Sequence, residues 1–118
     1  MTPLTETEDI ENPNNVKVIV DQNSFALYFS RSPIPYYRST DIAQNYYKHL
    51  GVYAFRREAL LNFSTSEMTP LETAEKIECI RYLEQGKKMK MVKPHQAAIG
   101  IDTPDDLKKA QQYLIKRS

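Results

Sequence analysis

The sequence predicts an α/β domain, and three observations predict it. Two β-rich runs, Val16 to Val20 and Phe25 to Phe29, flank the turn residues Asp21-Gln22-Asn23-Ser24. Thr69-Pro70-Leu71-Glu72 and Thr103-Pro104-Asp105-Asp106 each set a threonine cap before proline at the first helical position. At 118 residues, with 41% hydrophobic and 26% charged, the chain supplies one compact core and not two.

Taken in order, residues 1–15 carry Glu6, Glu8, Asp9 and Glu11 without one basic residue and end in Pro13-Asn14-Asn15, which reads as an exposed acidic arm or loop. The folded part then spans 16–118. Its first two strands form a hairpin, and Pro33 and Pro35 end the ladder. A third strand is expected over Tyr47–Phe55, whose period of two puts His49, Gly51, Tyr53 and Phe55 on one face. Arg57–Phe63 suits a short helix. From Thr69 a capping box opens a helix that Gly86 closes, with Leu71, Glu75, Glu78 and Tyr82 in one stripe and Glu78 therefore among apolar neighbours. Lys88–Val92 alternates like an edge strand, and Ala97–Ile101 reads as a short buried run. The final helix starts at Thr103 and aligns Leu107, Ala110 and Leu114 along one apolar face.

Composition removes several function classes. Sixteen Lys and Arg against fifteen Asp and Glu give a net charge of +1, so no global field draws the chain to nucleic acid or to an anionic membrane. No apolar run reaches the roughly 20 residues that span a bilayer, and the first residues lack a secretory pattern. The single Cys79 makes no intrachain disulfide, which suits a reducing compartment, and the chain reads as soluble and cytoplasmic. Only Gly51, Gly86 and Gly100 occur, so no glycine-rich phosphate loop can be written.

Several side chains are candidates for chemistry. Arg31 follows a strand and precedes a proline-fixed loop, where a guanidinium can grip a carboxylate or phosphate; an ordinary surface arginine is the plainer alternative. His49 and Tyr53 can pair as hydrogen-bonding groups for a polyhydroxylated ligand, or His49 is a satisfied core histidine. Glu78 can accept from sugar hydroxyls or pair with Arg81. Asp102, before a helix, stands where α/β proteins present ligand-binding carboxylates, or it supports the helix dipole with Asp105 and Asp106. Cys79 reads as a small buried residue and not as a nucleophile. The pairs Tyr36-Tyr37 and Tyr46-Tyr47 suit packing or an interface better than base stacking, and His95 receives no role.

Ala26-Leu27-Tyr28-Phe29-Ser30-Arg31-Ser32-Pro33-Ile34-Pro35, Lys48-His49-Leu50-Gly51-Val52-Tyr53-Ala54-Phe55-Arg56, Thr69-Pro70-Leu71-Glu72 and Gly100-Ile101-Asp102-Thr103-Pro104-Asp105-Asp106-Leu107 occur in this order. Together they resemble the C-terminal half of the 3-deoxy-manno-octulosonate cytidylyltransferases, the CMP-KDO synthetases of lipopolysaccharide biosynthesis. The resemblance implies the C-terminal portion of a nucleotide-diphospho-sugar transferase-like α/β sandwich. It also implies a magnesium-dependent reaction in which the anomeric hydroxyl of the eight-carbon sugar acid attacks the α-phosphate of CTP. By the same resemblance Arg31, His49, Tyr53, Glu78 and Cys79 occupy sugar-site positions, Asp102 matches a metal-binding carboxylate, and a homodimer is the implied assembly. Cys79 stands where that family usually has glutamine, a loss of one amide donor and acceptor.

The nucleotide-binding half has no counterpart in this sequence, so the chain is read as a fragment of a longer enzyme or a natural half-length product, inactive alone. Two alternatives stay open. One is a non-catalytic dimerisation or sugar-binding module; the other is part of a related nucleotidyltransferase acting on another acidic sugar, such as a nine-carbon acid.

Overall fold

The computed structural model describes residues 1–95 and 100–117. In chain order the strands are β1 (Thr2–Leu4), β2 (Lys17–Val20), β3 (Ala26–Ser30) and β4 (Tyr46–Lys48). The helices are α1 (Thr7–Glu11), α2 (Arg57–Thr65), α3 (Pro70–Glu75), α4 (Ile80–Glu84) and α5 (Pro104–Arg117). The strands form one antiparallel sheet in the order β1-β4-β2-β3.

The β2–β3 hairpin forms as its alternation predicts, with Val18 opposite Phe29 and Lys17 opposite Ser30. Its turn is held by the Asp21 carboxylate, which accepts the amides of Asn23 and Phe25 at 2.9 Å each. Val18, Ala26 and Phe29 supply the sheet's share of the core, and Ile77, Cys79, Ile80 and Met91 close over them.

Several expectations are corrected. The opening residues are not an arm: β1 pairs with β4, Met1 is buried in the core, and residues 7–11 are helical. An acidic composition describes the α1 surface but says nothing of the strand before it. The third strand is much shorter than Tyr47–Phe55, because Gly51 at φ +70° turns the chain out of the ladder just after β4. The helix from Thr69 to Gly86 is two helices. Lys76 adopts the left-handed conformation at φ 56°, and the Arg31 side chain takes the carbonyls of Glu75 and Lys76. In a continuous helix those carbonyls would accept the amides four residues on. The alternation at Lys88–Val92 yields only one bridge, Phe25 to Lys90, and the apolar residues of α5 stay largely exposed at Leu107 and Leu114. Part of the run expected at Ala97–Ile101 lies outside the described residues; Gly100 and Ile101 are exposed and in no strand.

Both capped helix starts are realised. The Thr69 amide donates to the Glu72 carboxylate at 3.2 Å. At α5 the box is reciprocal: Thr103 donates its amide and hydroxyl to Asp106 at 3.0 and 2.7 Å, and its hydroxyl accepts the Asp106 amide at 3.2 Å. No described helix is long and apolar enough to cross a membrane.

Candidate functional site

The site is built around the turn that follows β4. His49 extends the sheet by one hydrogen bond, its amide donating to the Val16 carbonyl at 2.8 Å. Gly51 then reverses the chain, and Tyr53 returns so that its hydroxyl lies 2.6 Å from His49 Nε2. The pairing expected of these residues is present, but a left-handed glycine produces it and not the alternation of a strand. The imidazole also meets Phe29 edge-on at 5.0 Å between ring centres.

Burial depresses the His49 pKa to about 4, so the ring is neutral at neutral pH. Its Nδ1 is buried and has no hydrogen-bond partner among the described residues. Tyr53 is pushed well above the ordinary phenol value by burial and by the Cys79 thiol beside it, so its hydroxyl keeps its proton. A neutral imidazole and an intact phenol are hydrogen-bonding groups and not charges, which suits recognition of hydroxyls.

Beside this pair opens a cleft of about 640 Å³ lined by His49, Tyr53, Phe55, Arg56, Tyr82 and Met91 among others. Phe55 stacks between Tyr53 and Phe63 at 6.0 and 5.7 Å and meets Tyr82 edge-on at 5.9 Å, giving the cleft an aromatic wall. Its size and mixed lining are those of a small-molecule site.

Arg31 is neither a free surface arginine nor a cleft residue. Its Nε donates to the Glu75 carbonyl at 2.7 Å, one terminal nitrogen to the Lys76 carbonyl at 3.1 Å and the other to the Pro13 carbonyl at 2.9 Å. Three of the five guanidinium N–H groups are thus used, and two remain. Glu78 and Cys79 sit on the turn between α3 and α4. The alternation of burial there is sharp: Ile77 and Cys79 are buried, while Glu78 is exposed and not semi-buried as the helix stripe implied. Nor does Glu78 pair with Arg81, which instead grips the buried Glu72 at 2.6 and 2.8 Å. Burial raises the Cys79 thiol above its ordinary pKa, consistent with a packing residue.

Asp102 is exposed in the approach to α5, outside any strand, and its amide joins the Asp106 cap at 3.3 Å. Its carboxylate accepts no hydrogen bond among the described residues, so a hard anionic oxygen is available to a cation there. No three His, Cys, Asp or Glu side chains converge as a metal site among the described residues. Asp102 therefore fits a magnesium ion only as one ligand of a shell completed from elsewhere.

The structure thus unites His49, Tyr53 and Cys79, places Arg31 and the Glu78 turn together at the end of α3, and leaves Asp102 apart. Sequence reasoning missed two groups. Lys17 is fully buried, its Nζ donating to the Asn12 carbonyl at 3.1 Å. Glu75 gathers the end of β3: its carboxylate accepts from the Ser30 hydroxyl at 2.7 Å, the Arg31 amide at 3.0 Å and, at 3.4 Å, the Tyr28 hydroxyl. Nothing in the local pattern marks either one: the partners of Glu75 lie more than forty positions away, and the burial of Lys17 comes from the folded sheet.

Comparison with known proteins gives one answer. Residues 1–89 match the cytidylyltransferase family model. A 3-deoxy-manno-octulosonate cytidylyltransferase of Christiangramia forsetii is 60% identical over 96% of this chain and 46% of its own length. A protein of the same name from Flavobacterium johnsoniae is 54% identical over 97% of this chain and 47% of its own length. Among solved structures, CMP:2-keto-3-deoxy-manno-octonic acid synthetase complexed with CTP superposes with a TM-score of 0.85 at 35% identity, covering 99% of this chain and 48% of that one. The chain spans just under half the length of these relatives.

Proposed function

The chain belongs to the cytidylyltransferase family, and from that premise we propose that it is the sugar-binding half of a CMP-KDO synthetase, part of an enzyme that transfers CMP from CTP to 3-deoxy-manno-octulosonate. The observation that carries the reading is the likeness over nearly the whole chain to proteins of that name. In the reaction the anomeric oxygen forms a bond to the α-phosphorus, the bond to pyrophosphate breaks, and the hydroxyl proton is released.

The chain's own residues bind and orient. His49 and Tyr53 present neutral hydrogen-bonding groups at the cleft, Arg31 keeps two N–H groups for an anionic oxygen, and exposed Glu78 accepts from sugar hydroxyls. Cys79, behind Tyr53, acts through packing. Fixing the sugar in one orientation is a large part of what this kind of transfer requires. Asp102 would hold magnesium as one ligand among several, and a bound magnesium ion supplies neutralisation of the phosphate charge. A cytoplasmic homodimer is the working assembly.

Two measurements test this. Alone, with CTP, the octulosonate and magnesium, the chain releases no pyrophosphate above a blank, since no described residues assemble a phosphate cradle. Co-expressed with the portion of the Christiangramia relative that it does not match, it releases pyrophosphate only when the octulosonate is present, and Asp102→Asn lowers turnover while raising the magnesium requirement. Release driven by a nine-carbon acid instead moves the reading to a related nucleotidyltransferase; a folded, sugar-binding complex without turnover favours a binding module.

A further inference from the structure

The residues assigned to the sugar site divide into two groups held by different means, and one acid joins the second group. Arg31 lies at the end of β3, and Glu78 and Cys79 lie on the turn after α3, more than forty positions away in sequence. Between them stands Glu75. Its side chain accepts from three donors of the strand end, including the Arg31 amide, while its main-chain carbonyl accepts from Arg31 Nε at 2.7 Å. The next residue, Lys76, turns left-handed and gives its own carbonyl to the same guanidinium. The chain then enters the turn with Ile77 and Cys79 buried and Glu78 outward.

Charge points the same way. Arg31 and the buried Lys17 both hold the segment before β2, through the carbonyls of Pro13 and Asn12. Glu75 is the acid whose field reaches both cations. Burial works against its charge, yet the hydrogen bonds from Arg31, Ser30 and Tyr28 outweigh it and hold the carboxyl below its ordinary pKa. It stays ionised at neutral pH.

We propose that Glu75 is the positioning residue of the sugar site, its carboxylate tying the strand end that carries Arg31, through the Arg31 amide and the Ser30 and Tyr28 hydroxyls, to the turn that carries Glu78 and Cys79. It touches no substrate; it sets in advance the orientation in which Arg31 offers its two remaining N–H groups, so that little side-chain freedom is lost on binding. The assignment rests on the sugar-site reading above, and the test separates the two.

The test uses the chain itself. Nuclear magnetic resonance follows the Arg31 backbone amide signal and the titration with 3-deoxy-manno-octulosonate in wild type, Glu75→Gln, Glu75→Ala and, as a control for a lost buried acid elsewhere, Glu72→Gln. Glu75→Gln keeps the shape and removes the charge, so it covers the case in which Glu75→Ala does not fold. In wild type the Arg31 backbone amide, which the Glu75 carboxylate accepts, is protected from exchange. In Glu75→Gln that protection is lost and sugar affinity falls about tenfold or more, the scale of one charged hydrogen bond. In Glu72→Gln melting temperature falls while the Arg31 signal and sugar affinity hold. A folded Glu75→Gln chain with a protected Arg31 signal and wild-type affinity overturns the proposal. A wild-type chain that binds no octulosonate overturns the sugar-site reading instead, and the Arg31 signal then still decides whether the Glu75 carboxylate holds the strand end.

Discussion

His49 shows at the residue scale how burial and function share one side chain. Its imidazole is neutral because the folded environment moves its pKa from the ordinary 6.5 to about 4. Between those values the unfolded chain binds a proton that the folded chain refuses, so stability falls as pH drops from 6.5 towards 4 and is fully present above 6.5. The shift corresponds to an upper bound of roughly 3 kcal/mol. Thermal melts from pH 7.5 to 4.5 are expected to show this decline in wild type and a flatter profile in His49→Gln. Equal slopes in the two chains would contradict a neutral buried imidazole. The pair was legible in the sequence as two hydrogen-bonding residues four apart. The device that joins them was not: a glycine inside an apolar run reads as a strand residue until its positive φ is seen.

Among the elements, the break between α3 and α4 is the informative one. Sequence marked the start of α3 through Thr69, Pro70 and Glu72 and the stop at Gly86, and both exist. The interruption at Lys76 carries no proline or glycine, and its cause is tertiary: the arginine just after β3 takes the two carbonyls that would continue the helix. A lysine at φ 56° is strained, because only glycine adopts that conformation without steric cost. Lys76→Gly is therefore expected to stabilise the chain by about 0.5–1 kcal/mol, whereas Gly86→Ala, at φ 74°, destabilises it by about 1 kcal/mol. Urea denaturation of the two variants checks both signs. If Lys76→Gly loses stability, the Lys76 side chain contributes more than its backbone costs.

For the whole molecule, the β2–β3 hairpin and α5 were readable because alternation, turn chemistry and capping all act within a few residues. The place of β1 was not, since three residues paired at the sheet edge leave no periodic signature. The molecule also exposes Leu60 and Leu61 on α2, Val52 and Tyr36 on loops, and Leu114 and Ile115 on α5. So much uncovered apolar surface favours association. Sedimentation at tens of micromolar, about the range expected of a modest interface, is expected to show dimer; monomer alone at that concentration would count against the homodimer.

Lys17 gives the molecule an internal reporter. Its amine lies inside the protein with no solvent-accessible surface, while the lysines of the 87–93 segment are largely at the surface. An amine-acylating reagent, or trypsin, attacks only what it can touch. Surface lysines are modified at once, but acylation of Lys17 and cleavage after it wait for the sheet to open, so their rates track the population of the opened molecule. Peptide mass spectrometry over a urea series then turns one buried ammonium into a meter of how often the hairpin parts from its neighbours.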